Sequence, residues 1–158
     1  MSLSTVPSTA RVAAAGLAAT VTLAIAACSS SYPRAQNLPD DLFAAARGSR
    51  AAPRSFTDGV KRESCGEITL GQAQVLPTAV LHCINAAIGA TDAELAVAAP
   101  TSEGDPIVTF YRTSARAGGV ELFIDAEYDR FGSGSWTHER FPRAHDITAL
   151  YPTPSPTP

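Results

Sequence analysis

Residues Val12 to Ala27 form a run without a single charge, rich in Ala, Val, Leu and Ile, and the run ends at Cys28. No other feature limits the fold as much, because it withdraws the run and all that precedes it from any globular core. The run is short for a membrane-spanning helix, which needs about 20 apolar residues. With Arg11 in front and small side chains at its end, it has the layout of a signal h-region. Processing there would remove 27 of the 158 residues and leave 131, enough for one domain with tails.

The last four residues, Ile25, Ala26, Ala27 and Cys28, resemble the lipobox of bacterial lipoproteins: an aliphatic residue, two small ones, then cysteine. The resemblance implies cleavage before Cys28, a thioether-linked diacylglycerol on its sulfur, and acylation of the new amine. Two acyl chains anchor firmly, at ~0.8 kcal/mol per buried CH₂. An ordinary secretory signal, or an uncleaved anchor, would also place the following residues outside the cytoplasm. Membrane lipid through Cys28 is therefore the expected partner, on the extracytoplasmic face of the cell membrane.

Assigning Cys28 to lipid leaves Cys65 and Cys83. An even pair in an oxidising compartment predicts a disulfide. The alternative is a redox or metal pair, but the chain has no C-x-x-C and no His or third Cys at ligand spacing. A bridge of this span would stabilise by about 3 kcal/mol, which matters in a core of about 80 residues.

Charge is unevenly spread. Residues 28–63 hold six basic and four acidic side chains, whereas residues 64–150 hold five basic and eleven acidic ones. An acidic domain argues against nucleic acid as a partner. The composition divides the chain into a signal at 1–27, a flexible Ser-, Pro- and Arg-bearing tether at 28–54, a domain at 55–147 and a disordered Pro/Thr-rich tail at 148–158. Asp41–Arg47 could make one helical turn inside the tether.

Within the domain, Glu67–Leu70 reads as a strand or an entry turn. Pro77–Ile88 is the clearest helix, with Val80, Cys83, Ile84, Ala87 and Ile88 on one face and Gly89 at its end. Glu94–Pro100, Ile107–Thr113, Val120–Ala126 and Trp136–Phe141 read as strands. In the third of these, Val120, Leu122, Ile124 and Ala126 face inward, and Glu121, Phe123 and Asp125 outward. Glu103-Gly104-Asp105-Pro106 and Ala117-Gly118-Gly119 are hairpin turns, so the strands are expected to be antiparallel neighbours. The predicted fold is α+β: one main helix on a three- to four-stranded antiparallel sheet.

The residues Thr101-Ser102-Glu103-Gly104-Asp105-Pro106-Ile107, followed by Asp125 and Asp129-Arg130-Phe131-Gly132, resemble a small lipoprotein and secreted domain of bacteria with the pattern T-x-E-G-D-P-I … D-x-F-G. The similarity spans about Glu94 to Phe141. It implies an extracytoplasmic location and brings no catalytic residue or assigned activity. Where members carry a cysteine near the end of the last strand, this chain has Phe141.

Glu103, Asp105, Asp125, Glu127 and Asp129 could converge into an oxygen-rich Ca²⁺ site if the turn folded toward the strand. The D-x-D-x-D-G loop is lacking, and turn formation with a solvated acidic face accounts for the same residues. His82, His138 and His145 occur outside any H-E-x-x-H, and Ser133 and Ser135 outside any G-x-S-x-G. No catalytic residue and no cofactor is assigned. Phe123, Tyr128 and Trp136 are the candidates for a binding surface, because an aromatic on a solvated face marks contact. Two readings result. One is a lipid-anchored, non-catalytic interaction module of the cell envelope, meeting a protein partner. The alternative is a small-ligand or calcium-binding envelope protein.

Overall fold

The computed structural model describes residues 37–151. The signal segment, Cys28, the first part of the tether and the tail from residue 152 lie outside the described residues. Eight elements follow in order: α1 Leu42–Arg47, α2 Arg54–Thr57, β1 Glu63–Thr69, α3 Thr78–Ala87, β2 Ala93–Pro100, β3 Pro106–Thr113, β4 Val120–Asp125 and β5 Trp136–Phe141. The strands form one five-stranded sheet in the order β1-β2-β3-β4-β5.

The sheet is mixed, and α1 and α2 accompany α3, which corrects the expectation of one main helix on three or four antiparallel strands. β2 to β5 are an antiparallel meander, as their short turns require. β1 adds a fifth strand, parallel to β2, because α3 carries the chain back over the sheet between them. The sequence hides the start of β1 for a local reason. The register shifts between Ser64 and Gly66, and Gly66 adopts φ +117°, so a bulge breaks the two-residue alternation at Cys65.

Both sheet faces are covered. On one face Leu95, Val97, Tyr111, Val120 and Leu122 pack with Ile84 and Ala87 of α3 and with Ile147 from the segment after β5. The Cys65–Cys83 disulfide ties β1 to α3 on this side. On the other face Ala96, Ala98, Val108, Phe110 and Phe123 pack with Phe43, Ala46 and Phe56. α1 forms because Asp41 caps it, its side chain accepting from the Ala44 N–H at 2.9 Å, and because three alanines follow Phe43. Part of the stretch read as a flexible tether is therefore helical and sits in the core.

This second cover explains Phe123. The residue expected to face solvent is fully buried. Its ring lies 5.3 Å from that of Phe56 and stacks 4.1 Å from the His138 ring. The alternation along β4 is as read, but both of its faces point into packed layers.

Candidate functional site

The carboxylates singled out in the sequence are each drawn to a separate task. Asp105, in the β2–β3 turn, accepts from the Arg130 backbone N–H at 3.1 Å and pairs with its guanidinium at 2.7 Å. Those Arg130 hydrogen bonds hold the Asp105 carboxyl below the usual carboxylate range. Glu103 is exposed and accepts from the Ser102 hydroxyl. Asp129 accepts from the Phe131 N–H two residues on, closing a local turn. Glu127 takes a hydrogen bond from the Ser49 hydroxyl at 2.7 Å.

Asp125 is the unusual one. It is 1% exposed, and its Oδ1 accepts from the Glu127 N–H at 2.9 Å. Its Oδ2 is buried with no partner, and so is Nε1 of Trp136, the residue opposite it on β5. Burial pushes the Asp125 carboxyl up. Among the described residues no group of three His, Cys, Asp or Glu could hold a metal ion, so the five carboxylates do not converge.

The aromatic candidates separate as well. Trp136 is half-buried, 4.9 Å from the Phe56 ring, and belongs to the α1/α2 layer with Phe123. Tyr128 is half-buried in the loop after β4. In the same loop Phe131, 61% exposed, lies 5.7 Å from the Arg130 guanidinium. The histidines sit on α3, on β5 and after β5. The Ser133 and Ser135 hydroxyls are 2.7 Å apart in an exposed loop.

The polar feature that sequence reading missed is a row of charge across the α1/α2 face. In strand register Glu94 opposes Arg112, Arg112 opposes Glu121, and Glu121 opposes Arg140. Opposite charges at facing positions attract. Arg112 bonds Glu94 at 2.8 Å, Arg140 bonds Glu121 at 2.7 Å, and Arg47 of α1 reaches both Glu94 and Glu67. Arg112 is 7% exposed, donates to the Phe56 carbonyl at 2.8 Å and lies 3.8 Å over the Phe56 ring. Burial works to raise the Glu94 pKa, but hydrogen bonds and charge from Arg47 and Arg112 outweigh it and hold Glu94 low. Only the strand register aligns these charges, since Arg140 follows Glu139 and no spacing along the chain links it to Arg112 or Glu94.

No family model, curated protein or solved structure matches the chain. The geometry alone therefore carries the functional argument. Two polar clefts flank the charged row. One, of about 330 Å³, lies between Arg47, Glu67 and Arg62. The other, of about 300 Å³, lies between Arg62, Arg112, Glu121 and Arg140. A wider, more apolar groove of about 670 Å³ runs along Phe141–Leu150. No helix among the described residues is long and apolar enough to cross a membrane.

Proposed function

We propose that this chain is a lipid-anchored, extracytoplasmic bacterial lipoprotein whose domain acts as a non-catalytic interaction module of the cell envelope. The observation that carries the reading is the Cys65–Cys83 bridge, which suits an oxidising compartment and leaves Cys28 free for the lipid that its motif implies. The carboxylates of the EGDPI-type turn and of the loop after β4 support it, since Asp105 and Asp129 shape backbone there. The contact surface is assigned to the loop that carries Tyr128 and Phe131 instead of to the buried Phe123 face. The calcium reading finds no cluster of three ligands to support it among the described residues.

The test follows the cysteines in living cells. A labelled fatty acid is expected on the wild type and absent from Cys28→Ser. A thiol alkylating reagent, applied without reductant, is expected to leave Cys65 and Cys83 unmodified. Wild-type protein without the fatty acid, or with alkylated Cys65 and Cys83, would overturn the reading.

A further inference from the structure

The charged row does not balance at Arg62. Arg47, Arg112 and Arg140 each hold a glutamate, whereas Arg62 has no carboxylate within ion-pair distance among the described residues. Its Nη1 donates to the Val60 carbonyl at 3.0 Å, and its Nε–H is buried without a partner. Arg62 also stands beside Arg112. A Cβ added to Gly59 would lie 2.8 Å from Arg62 Nη1 and 3.7 Å from Arg112 Nη1, so both guanidiniums crowd one point. Burial lowers the Arg112 pKa, and the charges of Arg62 and Arg47 push the same way against the pull of Glu94.

These arginines wall the cleft of about 300 Å³, in which Arg62, Arg112 and Arg140 face the single carboxylate of Glu121. Ser55 and Ser114 lie along the same wall. The Ser114 hydroxyl oxygen accepts from the Arg116 and Ala117 N–H groups, at 3.3 and 3.2 Å, and so keeps its own proton to donate. Arg112 and Arg140 are offset by Glu94 and Glu121, so one positive charge, that of Arg62, is left for an anionic group. Forked guanidinium donors with a hydroxyl also suit a tetrahedral group of several oxygens.

We propose that this cleft binds a phosphate group, held by Arg62 and Arg112 with Arg140 and Ser114 at its edge. The phosphate could come from a free phosphate or from an anionic lipid headgroup, and the chemistry of recognition is the same. The inference is independent of the envelope reading, since it needs neither lipid on Cys28 nor a protein partner.

The experiment uses the full chain in detergent, at an ionic strength held constant with chloride. Inorganic phosphate and glycerophosphoglycerol, a soluble form of an anionic lipid headgroup, are titrated separately. Saturable broadening of the ³¹P signal and a rise in melting midpoint are expected for at least one. Arg62→Gln is expected to weaken binding tenfold or more, and Arg143→Gln, at an exposed site outside the cleft, to leave it unchanged. Saturation by inorganic phosphate assigns a free phosphate; saturation by glycerophosphoglycerol alone assigns a headgroup. If Arg62→Gln fails to fold, the well-exposed Arg140→Gln replaces it, with weakened binding again expected. No response beyond that of chloride for either compound overturns the proposal, as does unchanged affinity in the folded cleft variant.

Discussion

Two buried charges face opposite circumstances on the same side of the sheet. Arg112 is matched by Glu94, whereas one oxygen of Asp125 is matched by nothing. Glu94→Ala would leave the Arg112 guanidinium without its main counter-charge. The expected loss is about 2 kcal/mol, less than for a fully enclosed pair because the shared partner Arg47 reaches water. Chemical denaturation of the two proteins measures it. Asp125 works the other way. Its pKa is raised in the fold, so the folded state binds its proton more tightly than the unfolded chain, and stability falls as pH rises from the ordinary carboxylate range through the folded value. Asp125→Asn removes that dependence. Its melting midpoint is expected to equal the wild type at acid pH, below the ordinary carboxylate range, and to exceed it at neutral pH. A gap that stayed constant across pH would show that Asp125 does not titrate as its burial implies.

Among the elements, α3 and the strands of the meander were readable because each offers one strong periodic signal. Pro77 opens α3, apolar residues recur at helical spacing, and Gly89 follows it with φ +71°. β4 pairs with both neighbours without a register shift. β1 was half-read because its bulge disrupts the alternation, and α1 because six residues rich in alanine carry little periodicity. The role of Phe123 could not be settled from β4 alone. A period of two separates the faces of a strand but does not say how many faces are covered, and that depends on Phe43 and Phe56 arriving from elsewhere in the chain. Phe43→Ala should therefore cost about 3 kcal/mol, as for a core aromatic. A flexible, unpacked tether would lose nothing on the same denaturation curve. The link between β1 and α3 gives a second test: reducing Cys65–Cys83 is expected to lower stability by about 3 kcal/mol, read from denaturation with and without reductant. Gly119 lies at a tighter point, with φ +66° and no room for a Cβ against the Phe141 carbonyl where β4 meets β5.

For the molecule as a whole, the acidic balance of residues 64–150 conceals a local reversal. Glu103, Asp105, Glu127 and Asp129 lie in the turn before β3 and the loop after β4, while arginines from α1, from the approach to β1 and from β3 and β5 meet over one sheet face. A net charge summed along the chain cannot show this, because Arg47, Arg62, Arg112 and Arg140 are brought together only by folding. The candidate site was illegible for that reason, whereas the disulfide was legible from a count of three cysteines. Excess calcium is expected to leave the melting midpoint of the whole protein where chelator leaves it, since Asp105, Asp125 and Asp129 serve separate local contacts.

The position of α1 and α2 in the chain has a mechanical meaning. They come before every strand, and the sheet face beneath them holds them through side chains, not through the strand-to-strand ladder. Tension arriving from the N-terminal side would load these two helices first. They would peel away singly while the meander stayed laterally bonded and the disulfide held β1 to α3. The domain would thus yield in stages, first uncovering Phe110 and Phe123 to water, with the strands still in register.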